Sequence, residues 1–288
     1  MKKIFGQTKF FLTIFFILAM TCLAGQLSAQ ETEIPFYLQD RGSGLPTSMF
    51  ATFINQGEFI TYLFFEYYLD HDMEYKPAEL GYGLEQDFRG QYSAAEGLIF
   101  MAYGITDWLA LELEAAVITA SLQKSDDDPS AMPDKLEESG LGDVEGQLRL
   151  RWLREGEYWP ELFSYFETVF PLQPDNVLIG TQDWEFKLGS GISKGFSFGT
   201  LTLRAAIEYD TGENKLDLGE YALEYVKRLS PYWRIYAGVE GEQDEVELIA
   251  EVQWHIIPDK VILKLNSAFG LTPKATDWAP EAGIMVYW

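Results

Sequence analysis

Carboxylates at even spacing are the most frequent chemical groups in this 288-residue chain, as in Glu112 with Glu114, or Glu220 with Glu224. A pair of carboxyl groups can work as acid and base when their environments differ. The same spacing follows from simple strand alternation, which puts every second side chain on one face. Histidine chemistry is limited to His71 and His255. A serine nucleophile needs its base within hydrogen-bond reach, and no serine is placed by sequence to meet either ring. His255 runs into Ile256-Ile257-Pro258, without the Ser-Asn-Gly arrangement of an outer-membrane phospholipase. The run Asp126-Asp127-Asp128 offers oxygen ligands of the kind calcium takes. Its spacing matches no calcium loop, and a solvated loop tip is the expected role. No catalytic residue, metal site or cofactor is expected, and the chain is not read as an enzyme.

The elements that must carry these carboxylates are strands. Leu109, Leu111, Leu113, Ala115 and Val117 form one continuous apolar face, against Glu112 and Glu114 on the other. Leu201, Leu203, Ala205 and Ile207 likewise alternate with Thr202, Arg204 and Glu208. About twelve such segments of roughly ten residues, the length that crosses a bilayer as a tilted strand, run from Glu58–Leu69 to Ala279–Trp288. Tight turns at Gly104–Asp107, Arg154–Tyr158, Gly195–Phe198, Leu229–Pro231 and Ile257-Pro258 alternate with longer linkers. The longest are Asp70–Gly90, Gln123–Gly142 and Pro171–Asp183. Short periplasmic turns and long outer loops mark a single-chain transmembrane barrel. The fold expected is therefore all-β, one antiparallel transmembrane β-barrel spanning residues 57–288.

Tryptophan favours the two membrane interfaces, and all eight fall near strand ends. Trp108, Trp152, Trp159, Trp233, Trp254 and Trp288 belong to the periplasmic rim on this reading, Trp184 and Trp278 to the outer one. A carboxylate facing lipid is costly, so the charged face must look inward.

Residues 1–29 have the three parts of a cleaved signal peptide: Lys2, Lys3 and Lys9, an apolar run Phe10–Leu23, then Leu27-Ser28-Ala29. Cys22, the single cysteine, leaves with it, since Thr21 and Ala19 do not suit a lipoprotein site. Disulfides are then excluded from the exported chain. Taking three lysines from 21 basic residues leaves 18 against 45 acidic ones, a net charge of −27. Nucleic acid is a poor partner for such a surface. Residues 30–56 lack alternation and carry Pro35, Gly42, Gly44 and Pro46. They are read as a periplasmic tail, or as a short plug anchored by Phe36, Tyr37, Met49, Phe50 and Phe53.

Projected inward, the strands line a lumen with Glu66, Glu96, Glu112, Glu114, Glu145, Glu167, Glu185, Glu208, Glu220, Glu224, Glu240, Glu247 and Glu251. Arg149, Arg151, Lys187, Arg204, Arg234 and Lys264 stand among them. Excess carboxylate in a pore favours cations. Two readings follow: a channel or facilitator for passive passage of small solutes, or a non-conducting barrel closed by ion pairs.

Two resemblances sharpen the assignment. The last segment sets Ala282, Ile284, Val286 and Trp288 against Gly283, Met285 and Tyr287, and looks like the recognition strand of bacterial outer-membrane barrels. That implies the Gram-negative outer membrane as location, with its lipid, lipopolysaccharide and barrel-assembly machinery as partners. Tyr103-Gly104-Ile105-Thr106-Asp107-Trp108, followed by Gly140-Leu141-Gly142-Asp143-Val144, resembles transporters of the phenol-degradation MetA type. The likeness covers about a third of the chain and implies a barrel passing small, often hydrophobic molecules. It carries over no binding residue.

Overall fold

Residues 34–212 and 214–288 are described by the computed structural model; the signal segment with Cys22 lies outside them. Twelve strands close into one antiparallel barrel. They are β3 (Phe59–Tyr75), β4 (Phe88–Thr106), β5 (Leu109–Gln123), β6 (Lys135–Leu153), β7 (Glu161–Phe170), β8 (Glu185–Phe196), β9 (Gly199–Asp210), β10 (Lys215–Ser230), β11 (Trp233–Glu242), β12 (Glu245–Ile257), β13 (Val261–Gly270) and β14 (Ala279–Tyr287). Two further strands, β1 (Leu45–Pro46) and β2 (Phe53–Ile54), precede them. Each barrel strand pairs with its neighbours in sequence, and β14 returns to β3 through partners such as Met285↔Tyr62. Closure satisfies every strand edge, which a bilayer without water demands.

Two loops differ from the sequence reading. β3 and β4 remain paired out to Tyr75↔Phe88, and β5 and β6 to Gln123↔Lys135. Much of the expected linkers Asp70–Gly90 and Gln123–Gly142 is thus strand. The hydrogen-bond ladder continues there, but outside the membrane nothing requires an apolar outward face, so runs such as Asp70-His71-Asp72 hide it. These stems rise above the rest of the wall and pack Tyr75, Phe88, Leu122 and Met132 together.

Burial is inverted relative to a water-soluble core. Leu203 is 53% exposed and Val117 61%, while Arg149 and Glu112, on the opposite face, are 0% and 2% exposed. Long charged side chains are almost never buried without partners, so this barrel holds its partners inside and turns its apolar band to hydrocarbon. All eight tryptophans are exposed, and Trp233 stacks on its cross-strand partner Trp254 with ring centres 6.0 Å apart.

The segment before the barrel lies within it. After a 3-10 turn at Phe36–Leu38, β1 and β2 pair as a short hairpin, whose turn puts Ala51 in the left-handed region at φ +47°. Leu45 and Ile54 pack among inward aromatics, including Tyr62, Phe100, Phe163 and Tyr165. Gly104 and Gly195 mark where the wall yields: a Cβ on Gly104 would collide with the Asn55 carbonyl, and one on Gly195 with the Tyr37 carbonyl.

Candidate functional site

The lumen is built in two storeys. The lower, at the short-turn end, is filled by residues 36–56 and their polar anchors. Arg41 places one guanidinium nitrogen 2.8 Å from Glu155 and 2.8 Å from Glu161, with all three side chains buried. Arg151 also meets Glu161, at 3.2 Å, and donates to the Ser43 carbonyl. Glu155 further accepts from the Gly195 N–H and lies 3.2 Å from Lys194. Asp40 accepts from the Arg228 N–H.

Three basic residues of the wall grip the hairpin tip by its backbone. Arg149 donates to the Pro46 carbonyl at 3.3 Å, Arg234 to that of Ala51 at 3.1 Å and Lys264 to that of Phe50 at 2.8 Å. The counter-charges are Glu112, 3.1 Å from Arg149, and Glu251, 3.1 Å from Lys264. Glu112 in turn accepts from both the N–H and the hydroxyl of Ser48. Nothing in the sequence order linked these wall residues to the segment before the barrel. Partners lie as far as 214 residues apart.

Above the tip the lumen opens. Cavities of about 460 and 250 Å³ both rest on Ser48, Met49 and Phe50. Around them the carboxylates read from the sequence, joined by Glu242, fall into two groups. On one side Lys187 serves Glu167, Glu208 and Glu242, the last at 2.9 Å, while Arg204 serves Glu220, Glu224 at 2.8 Å and Glu240 at 2.6 Å. On the other side Glu66, Glu96, Glu114, Glu145 and Glu247 line the larger cavity. None has a basic partner within ion-pair distance among the described residues. Glu185 shares the inward face of β8 with Lys187, two residues on.

Register makes the second group notable. Glu281↔Glu66↔Glu96 stand directly opposite one another across β14, β3 and β4, and Glu114↔Glu145 do so across β5 and β6. Like charges so placed destabilise a sheet. Glu281 was missed in the sequence because Pro280 and Gly283 break the polarity pattern around it. Glu242 and Glu161 were missed because each stands at an end of its strand, and Gln147 and Gln253 because they carry no charge.

The outer loop at Asp126–Asp128 is not solvated throughout. Asp128 is buried and accepts from the Tyr75 hydroxyl at 3.0 Å, the Ser130 N–H at 2.7 Å and the Ser130 hydroxyl at 3.0 Å. Burial pushes its carboxyl up, but these donors and Lys124 outweigh it and hold the group below the usual range. A depressed folded pKa means support fully present at neutral pH and lost only as acid carries the pH down through that value. Asp128→Ala should therefore release the loop at neutral pH, read as faster trypsin cleavage at Lys124 and Lys135.

His255 is buried on the inward face of β12, and neither ring nitrogen has a hydrogen-bond partner among the described residues. No serine among the described residues hydrogen-bonds its ring. No helix among the described residues is long and apolar enough to cross a membrane.

No family model matches the chain, and no curated protein matches it. Among solved structures it is similar to the COG4313 outer membrane channel from Pseudomonas putida F1, with a TM-score of 0.59. Identity is 15%, over 82% of this chain and 97% of that one. The fold of this chain is that of an outer-membrane β-barrel. The translocator domain of the autotransporter NalP from Neisseria meningitidis matches at 9% identity over 81% of this chain and 89% of that one, with a TM-score of 0.49. These likenesses concern the barrel. The narrower likeness to MetA-type transporters stays a resemblance of strand and turn patterns.

Proposed function

We propose that this outer-membrane barrel is a restricted channel for passive passage of small solutes, cation-preferring, with residues 36–56 as a plug at its periplasmic end. One observation carries the reading: carboxylates without basic partners face an open chamber whose floor is the hairpin tip. Uncompensated negative charge at a constriction concentrates cations and repels anions. Twelve strands fall between the smallest barrels, whose side chains fill the interior, and the 16 to 18 of wide porins. The similar Pseudomonas putida barrel is itself described as a channel, which agrees with this reading.

The fully buried Arg41–Glu155–Glu161 cluster favours a second reading, a non-conducting barrel sealed by ion pairs. Planar-bilayer recording across a potassium chloride gradient decides between them. The channel reading expects discrete steps with a reversal potential of cation-selective sign, reduced when Glu66, Glu96 and Glu114 are changed together to Gln. Silence at every voltage, with or without residues 36–54, would establish the sealed barrel.

A further inference from the structure

The two walls of the upper chamber differ in a way that charge selectivity alone does not require. We infer that the chamber binds an organic cation: a protonated amine carried on an apolar body that also bears a hydrogen-bond acceptor. The inference rests on the channel reading and names its substrate class.

The carboxylate row Glu281, Glu66 and Glu96 supplies the charge. Lys187 and Arg204 each pair with three carboxylates of the opposite wall, and Lys264, the one basic residue lining the larger cavity among the described residues, is already held by Glu251 and the Phe50 carbonyl. A cation from outside is what this wall lacks. Between the carboxylates, the cavity is lined by Phe64, Leu98, Ile249 and the floor residue Phe50. A hard metal ion needs six or more oxygens closing around it, and no cluster arranged to hold a metal occurs among the described residues. Interleaved apolar side chains suit instead a ring or short chain behind an ammonium group, with aromatic faces adding cation–π attraction.

A second observation points the same way. Asn266 is 9% exposed, lines this cavity, and its side-chain N–H has no acceptor among the described residues. A buried donor left unpaired is costly, and an acceptor on the ligand would relieve it. At about 460 Å³ the space falls in the range of about 300–1,000 Å³ usual for small-molecule sites.

Tyramine carries all three features and is the probe. Isothermal titration calorimetry on the full chain folded in detergent should give saturable binding of tyramine. 4-Ethylphenol, which lacks the ammonium, methylammonium, which lacks the ring, and 3-(4-hydroxyphenyl)propanoate, which reverses the charge, should each bind at least about tenfold more weakly. Glu66→Gln with Glu281→Gln, and separately Asn266→Ala, should weaken tyramine by at least about tenfold. Tyramine binding no tighter than methylammonium would show a diffuse ion atmosphere and overturn the inference, as would unchanged affinity in both variants. The ligand series on the unaltered protein stands even if a variant does not fold. Bilayer conductance is scored apart: steps without tyramine binding sink this inference and spare the channel, whereas binding without steps does the reverse.

Discussion

Deleting residues 36–54 should raise unitary conductance several-fold and, at the same time, weaken the preference for potassium over chloride. The first effect follows from volume, because the hairpin and the turn before it occupy the lower storey of the lumen and pack against Tyr62, Phe100 and Tyr165. The second follows from what the hairpin covers. Arg149, Arg151, Arg234 and Lys264 now give N–H groups to the carbonyls of Pro46, Ser43, Ala51 and Phe50. Stripped of those acceptors they would face water as a basic ring below the acidic chamber, offset only by Glu112, Glu161 and Glu251. Arg41→Ala should act in the same direction through the equilibrium between seated and unseated segment. It leaves Glu155 and Glu161 buried with less compensation, and breaking one partner of a buried pair costs about 3–5 kcal/mol. Each 1.4 kcal/mol is about tenfold in a population, so bilayer recordings should show longer dwells at the larger conductance level that the deletion gives. An unchanged conductance after the deletion would mean that the lumen is sealed elsewhere.

How far these features were legible differs by element and for physical reasons. Inside the membrane a strand must satisfy lipid on one face and water on the other, and Leu109–Val117 or Leu201–Glu208 therefore announce both their strand and their orientation. The barrel, its strand number and its wet face follow from that constraint. Beyond the membrane the constraint lapses, so the stems above Asp70 and below Gly142 read as loops although their ladders continue. Residues 36–56 have no period of their own; the barrel interior orders them. Arg41 finds Glu155 114 residues away, in a turn where a charged side chain reads as solvated. The basic residues of the wall were legible as inward but not as backbone donors, because a carbonyl partner leaves no trace in side-chain pattern. The carboxylate row had a partial signal. Glu66 and Glu96 alternate with apolar neighbours, whereas their direct opposition appears only once register is known.

Arg204→Met should be among the most destabilising single changes in the barrel, by about 3–5 kcal/mol, although it removes a charge from an acidic lumen without leaving a large void. Arg204 is 4% exposed and lies against Glu220, Glu224 and Glu240, so its loss leaves three carboxylates facing one another away from bulk water. Their desolvation was offset by one cation, and nothing else on that wall can replace it, since Lys187 is engaged by Glu167, Glu208 and Glu242. Unfolding by urea from lipid vesicles, followed by tryptophan fluorescence, would measure the loss. Two further changes identify its cause. Glu220→Gln, Glu224→Gln and Glu240→Gln added together should restore most of the lost stability, because repulsion and not packing is removed. Leu203→Met, one residue away but 53% exposed on the lipid face, should change little. If the triple Gln background fails to rescue Arg204→Met, the guanidinium acts by filling space, and the charge balance argued for that wall is wrong.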